Sequence, residues 1–295
     1  MKHFLFTLCA LVTFLGLSGK AAASLRVEDV ARQFFPEDYD TLLVGDISVP
    51  ILYSESTLPL ARGVIVILVN EGNQALNLAS ASELAKQLND KGWHTLISPS
   101  LLVSGTPSQA SETAAPDSGD ENTDGAAATV TTLHPMQDSL TPAVNFEASK
   151  TQTTLLMGVI SNHISSHKGF RIVIASGMTA AQVLSAANDG TIAPPDSLVT
   201  LVPFWPQRKV NENIPGYIAQ SGFPILDISL PDVTPWEAMT TAERSHAAKT
   251  ALKLQYRQRR LGSMSTLTAT GQAANTPFVN WLSSEIYGWI SHLGW

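Results

Sequence analysis

The chain is almost without cysteine. Cys9 is the only one among 295 residues, and it lies in an apolar stretch close to the N-terminus. Past that stretch there is no thiol, which excludes disulfides, cysteine nucleophiles and Cys-type zinc sites together. Basic residues are also scarce. Eighteen Lys and Arg stand against 25 Asp and Glu, a formal net charge of −7. No basic stripe is present, and this argues against nucleic acid, because phosphate neutralisation supplies most of that affinity. Beyond the first 23 residues no apolar run approaches the roughly 20 residues of a membrane span.

What is present begins with a targeting pattern. Lys2 and His3 precede the apolar run Phe4–Leu17, and Ala21–Ala22–Ala23 offers a small-residue cleavage site before Ser24. Residues 1–23 are therefore expected to be a cleaved signal peptide, with an uncleaved anchor as the alternative. Cys9 falls too early for a lipoprotein anchor. Export without disulfides suits a bacterial periplasm. Removing Lys2 and Lys20 with the leader leaves 16 basic and 25 acidic residues, or −9, on about 272 residues (295 minus 23). That length suits one large α/β domain.

Strands and helices alternate along the rest. Asp46–Tyr53 alternates as a strand, expected as half of a leading hairpin. Gly63–Val69 is a continuous β-branched run, expected for a strand buried on both faces. A helix is expected over 79–88, a strand over 93–98, a helix over 147–166 and a strand over 170–175. A second helix over 178–188, a strand over 197–204 and a short helix near 209–220 follow. The pattern closes with strand 224–230, a long helix near 235–256, a short strand near 260–268 and helix 277–292. Such an order predicts a mostly parallel sheet with helices on both faces. Residues 104–144 interrupt it, dividing the domain into 24–103 and 145–295. No Lys or Arg occurs between Lys91 and Lys150, and Glu112, Asp117, Asp120, Glu121 and Asp124 cluster there. The segment lacks the apolar content that offsets ordering entropy, and a disordered acidic insertion is expected. Its carboxylates do not follow calcium-loop spacing.

The densest information lies in Arg171–Ile172–Val173–Ile174–Ala175–Ser176–Gly177–Met178–Thr179. It reads as a buried strand entering a helix through small residues, the pattern of a nucleophile elbow, G-x-S-x-G. The alignment places Ala175 and Thr179 at the two small positions and Gly177 at the apex. Glycine carries no nucleophile. Shifting the frame by one makes Ser176 the candidate, but then Ile174 and Met178 fall where strand and helix nearly touch.

The order of Gly63–Asn70, Leu88–Leu96, the elbow, Pro224–Ile225–Leu226–Asp227 and Ile286–Tyr287–Gly288–Trp289–Ile290 resembles a known group. It is similar to an uncharacterised exported gammaproteobacterial family, domain of unknown function 3530, placed among α/β-hydrolase-like proteins. The resemblance implies that fold and export, and no activity.

Hydrolase chemistry requires nucleophile, histidine base, orienting acid and oxyanion hole. In this fold the order is Ser, Asp/Glu, His. Asp232, after strand 224–230, stands where the acid belongs; Asp227 lies inside that strand. Asp232 or Thr234 equally caps the helix that starts near Pro235. The base belongs between Thr266 and Pro277, and no histidine is there. The turn Asn70–Glu71–Gly72–Asn73–Gln74 holds the oxyanion-loop position. With Gly177, Met178 and the helix N-terminus, Glu71 and Gly72 are candidate ligand-binding residues.

Elsewhere, His163 and His167 are four apart, as two metal ligands on a helix would be, but they lack the adjacent Glu and a third ligand. They are expected to complement a helix C-terminus instead. Arg257, Arg259 and Arg260 form a basic knot, expected as a solvated helix end, with an anionic head group or glycan as the alternative. Phe204–Trp205–Pro206 is a candidate cleft lining. Trp281, Trp289 and Trp295 suit a packed last helix, with an exposed Trp295 open to a partner.

The expectation is an exported α/β-hydrolase-like protein that binds an unknown small molecule or envelope protein, with no metal or cofactor. A serine hydrolase using Ser176, Asp232 and a histidine from elsewhere is the second reading. A structural envelope component working through the acidic insertion and the tryptophan-bearing C-terminus is the third.

Overall fold

The computed structural model describes residues 39–69, 76–103, 144–230, 233–261 and 275–295. The first strands are β1 (Asp40–Val44), β2 (Ile47–Ser54) and β3 (Gly63–Val69). Helix α1 (Leu78–Asn89), β4 (Trp93–Pro99), α2 (Phe146–His163), β5 (Phe170–Ser176) and α3 (Gly177–Asn188) follow. Then come β6 (Ser197–Leu201), the short helices α4 (Arg208–Asn211) and α5 (Ile214–Gln220), and β7 (Ile225–Ser229). Helix α6 (Pro235–Thr250), β8 (Tyr256–Arg260) and α7 (Asn275–His292) complete the order. The sheet runs β1-β2-β4-β3-β5-β6-β7-β8. β1 with β2 and β2 with β4 are antiparallel, and every other pair is parallel. The fold is α/β with a mostly parallel sheet and helices on both faces.

The strand sequences dictate this arrangement. A strand covered on both faces gains from an unbroken branched apolar run. In β3, Ile65 and Ile67 point into a core under α1 and α7, while Val64, Val66 and Leu68 point into a second core under α2, α3 and α5. All five are essentially inaccessible. Side-chain caps fix two helix starts. Asn77 accepts from the Ser80 amide at 2.9 Å and Asn145 accepts from the Ala148 amide at 3.0 Å. Both parts of the domain build one sheet. The residues flanking the interruption meet, with the Asn145 amide donating to the Val103 carbonyl at 3.0 Å. Residues 104–143, where the acidic insertion is expected, lie outside the described residues, as do 1–23.

Several element edges differ from the sequence expectation. The helix expected over 235–256 stops at Thr250. The strand expected near 260–268 is Tyr256–Arg260. Arg257, Arg259 and Arg260 thus lie on an edge strand and not at a helix end. Arg257 lies over the Trp289 ring at 5.6 Å, and Arg259 pairs with Glu285 at 2.8 Å. The helix expected near 209–220 is two short helices, α4 and α5. Helix α2 ends at His163, so His167 lies beyond it.

Candidate functional site

The turn from β5 to α3 follows from its residue sizes. Ser176 closes β5 in extended backbone, at φ −119° and ψ 150°. Gly177 then takes φ 58°, the left-handed region that costs an L residue about 1–2 kcal/mol. A reversal this sharp, directly into a helix, is the backbone of an elbow, and Gly177 occupies its apex. Ala175 and Thr179 flank it, both fully buried. Small residues there let strand and helix approach closely.

Ser176 sits one residue before the apex. Its side chain is fully buried, and its hydroxyl, like that of Thr179, has no hydrogen-bond partner among the described residues. On β5 it shares the α7-side face with Ile172 and Ile174, opposite Leu201 of β6. The Ser176 hydroxyl does not cap α3. Met178 is half-buried beside it.

The histidines lie away from this turn. His94 starts β4, His163 ends α2 and His167 precedes β5. All three are at the edge where the parallel strands begin. Ser176 ends β5, six residues of roughly 3.3 Å rise, or about 20 Å, from that edge. His246 and His292 are exposed on α6 and on the last turn of α7. His3 and His134 lie outside the described residues. Three of the described histidines, His94, His163 and His167, instead gather round a tyrosine. Tyr53 Oη is 2.7 Å from His167 Nε2, its ring is 6.0 Å from His94, and the two imidazoles are 5.1 Å apart. Burial, helped by the neighbouring His167, lowers the His94 pKa against the pull of Glu55. Burial and Glu55 raise that of Tyr53. Among the described residues no group of three or more His, Cys, Asp or Glu side chains is placed to hold a metal ion. A cavity of about 260 Å³ lies at the same edge, lined by Val64, Ser161, Ile164, His167, Arg171 and Asp196.

Asp232, Glu71 and Gly72 lie outside the described residues, as do residues 266–274 of the stretch Thr266–Pro277, where the fold pattern puts a base and the sequence has no histidine. The helix after β7 is capped by Thr234, whose hydroxyl accepts from the Trp236 amide at 3.3 Å. Asp227 is fully buried in β7. Its Oδ2 accepts from Arg244 Nε at 2.9 Å, Tyr256 Oη at 2.8 Å and Gln258 Nε2 at 3.0 Å. Its Oδ1 accepts from Thr200 Oγ1 at 3.1 Å. With both oxygens occupied, Asp227 is a structural carboxylate and not a histidine orienter. Arg244 also donates to Glu237 Oε1 at 2.7 Å. Burial opposes the charge on Arg244, and the two carboxylates more than offset it, so its pKa is raised. Burial, the Asp227 charge and the hydrogen bond to it drive the Tyr256 pKa strongly upward, against the Arg244 charge.

Sequence reasoning missed this cluster. Its signal is the spacing Glu237, Thr241, Arg244, Ala248, one helical stripe that is buried throughout. Two aromatic expectations also need correction. Trp205 is fully buried and meets the Phe146 ring at 4.8 Å, so it belongs to the core. Trp295 is half-buried and stacks on Phe170 at 4.2 Å.

The strand order and the strand-elbow-helix unit define the class: this is an α/β-hydrolase fold. Solved structures agree. The carboxylesterase Cest-2923 from Lactobacillus plantarum WCFS1 is similar at TM-score 0.54 and 10% identity, over 87% of this chain and 97% of that one. An alpha-beta serine hydrolase homologue from Coxiella burnetii gives 0.50 and 10%, over 84% and 96%. Est1E from Butyrivibrio proteoclasticus gives 0.50 and 9%, over 86% and 99%. At such identity the likeness shows the fold alone. No curated protein matches the chain in sequence. The chain belongs to the family described as "Protein of unknown function (DUF3530)", which matches residues 23–291.

Proposed function

We propose that this protein is exported to the periplasm of a gammaproteobacterium and acts there by binding, without triad chemistry. The ligand, a small molecule or an envelope protein, binds at the N-terminus of α3, beside the Gly177 elbow. The observation that carries this reading is Gly177 itself, at φ 58° on the apex where the fold's nucleophile stands. A serine without a base is a poor nucleophile at neutral pH. Among the described residues the histidines lie away from the elbow, and the sequence of residues 262–274 contains none. Amide groups at a helix N-terminus still attract an anion or a polarised carbonyl. In this reading Glu71 and Gly72 are ligand-binding residues, and the acidic stretch that begins at Ser104 serves interaction.

One observation favours a second reading, a serine hydrolase of unorthodox layout. Ser176 presents a buried hydroxyl without a partner next to the apex, and Asp232 follows β7 in sequence as a triad acid would. Intact-mass spectrometry after treatment with a fluorophosphonate separates the two. The processed protein is expected to begin at Ser24 and to carry no adduct. An adduct that disappears in Ser176→Ala establishes the hydrolase. A mass that includes residues 1–23 refutes the cleaved leader.

A further inference from the structure

The loop between β2 and β3 hangs on a nitrogen that can be titrated. The Ser56 amide donates to His94 Nδ1 at 3.2 Å. An amide N–H only donates, so this nitrogen carries no proton and the imidazole is neutral, with its hydrogen on Nε2. Thr57 makes the neighbouring tie. Its amide and its hydroxyl both donate to the Asn89 carbonyl, each at 3.2 Å, and Asp90 lies 3.4 Å from the same hydroxyl. The Arg62 amide, bonded to the Gly92 carbonyl at 2.8 Å, returns the chain to β3. Residues 57–60 are exposed. A segment with so little burial opens at the cost of a few hydrogen bonds.

The surroundings of His94 resist a charge. His167, from the connection between α2 and β5, faces its ring at 5.1 Å, and Tyr53 of β2 stacks on it at 6.0 Å. Tyr53 Oη bonds His167 Nε2 at 2.7 Å, and His163 of α2 meets the Tyr53 ring at 6.5 Å. On the β3 side the neighbour is Val64, which is uncharged. Arg171, next along on β5, gives its guanidinium to Ser161 and to the Ala193 and Pro194 carbonyls, and Asp196 accepts from the Arg171 amide. Glu55, on the loop itself, favours the charged ring, but burial and His167 outweigh it and the His94 pKa is lowered. The two imidazoles differ in what a proton does. At His167 the Tyr53 hydroxyl can turn from donor to acceptor. At His94 the new N–H points at the Ser56 N–H, and two donors do not bond.

We propose that His94 is an acid-released latch: a proton on Nδ1 expels the Ser56 amide and frees residues 55–61 from β4 and α1 while the sheet stays folded. The closed loop requires the neutral ring, whereas in the open loop the ring takes a proton at its ordinary affinity. The closed form therefore prevails above about pH 6.5, and the open form gains as pH falls through it. Thr57 follows Ser56, because the Asn89 carbonyl alone is left to hold an exposed segment. The latch lies at the edge opposite the elbow and does not depend on what the elbow binds.

The test is hydrogen exchange at single amides of the purified protein at pH 7.5 and pH 5, with rates corrected for the intrinsic pH dependence of exchange. In the wild type the protection of the Ser56 and Thr57 amides is expected to fall together at pH 5 by about tenfold, the effect of one unit of displaced pKa. The Ile67 and Ile174 amides, inside β3 and β5, are expected to stay protected at both pH values. His94→Asn offers an amide oxygen near the place of Nδ1 that accepts at any pH, and is expected to keep Ser56 and Thr57 protected at pH 5. His94→Ala removes the acceptor and is expected to leave both amides as open at pH 7.5 as the wild type is at pH 5. Equal protection of the wild type at the two pH values overturns the proposal, as does an acid loss that persists in His94→Asn. A fall at Ser56 without Thr57 shows a broken bond and no release. A matching fall at Ile67 and Ile174 shows general acid unfolding in place of a latch.

Discussion

Two residues in left-handed backbone, Gly177 and Leu252, hold opposite kinds of information. Gly177 was legible in the sequence, because the small residues around it and the branched strand before it fix the elbow frame. Leu252 was not. Thr-Ala-Leu-Lys-Leu consists largely of good helix formers, so the periodicity runs on past Thr250, and only the tertiary course of the chain into β8 ends it. The histidines show the same limit. His163 and His167 read as one helical face, yet α2 stops at His163, and His167 turns to Tyr53 and His94 instead. That grouping has a pH consequence. The His94 pKa is lowered in the folded state, mainly by burial. Below the unperturbed value of about 6.5 the unfolded chain therefore binds more protons than the folded one. The stability His94 contributes is present above that pH and is lost as pH falls through it. Tyr53, His167 and Glu55 face the same ring, and the Ser56 amide donates to its Nδ1 at 3.2 Å. Urea melts between pH 7.5 and 5 are expected to show a smaller loss of stability in His94→Gln than in wild type. An equal loss in both places the titration elsewhere.

At the scale of elements, the central parallel strands were readable and the last ones less so. β3 and β5 are branched, apolar and uninterrupted, and they pair in register from Gly63 with Phe170 to Leu68 with Ala175. Gly63 is required there, since a Cβ would lie 2.0 Å from the Phe170 carbonyl oxygen. β8, Tyr-Arg-Gln-Arg-Arg, has no apolar alternation to announce it. Its inward face is polar because Tyr256 and Gln258 reach the buried Asp227, and its other face carries the arginines to Trp289 and Glu285. The same cluster fixes α6 against β7. Burying two carboxylates with one guanidinium is costly, and removing the cation leaves both uncompensated. Arg244→Leu is expected to destabilise the fold by about 3–5 kcal/mol, measured by chemical denaturation. A loss under about 1 kcal/mol would show that the carboxylates are not held by Arg244.

At the scale of the whole molecule, one sheet is assembled from the stretches on either side of residues 104–143, and the elbow and the tyrosine–histidine group fall at opposite edges. The elbow lies where the parallel strands end; the tyrosine–histidine group lies where they begin. The order of strands and helices in the sequence was enough to place the elbow at the first edge. It could not reveal the second, because the loops that meet there are far apart in sequence and individually unremarkable. The remaining site residues, Asp232, Glu71 and Gly72, were named from position in the fold pattern alone.

The central proposal is that this hydrolase-fold protein acts without a nucleophile and base at its elbow. The most direct measurement is p-nitrophenyl acetate hydrolysis by the wild type, Ser176→Ala and Gly177→Ser under identical conditions. The account predicts the solvent background rate in all three, even where Gly177→Ser restores a hydroxyl at the apex. Turnover by the wild type that Ser176→Ala abolishes, or turnover that appears in Gly177→Ser, would reveal a working base and contradict the account.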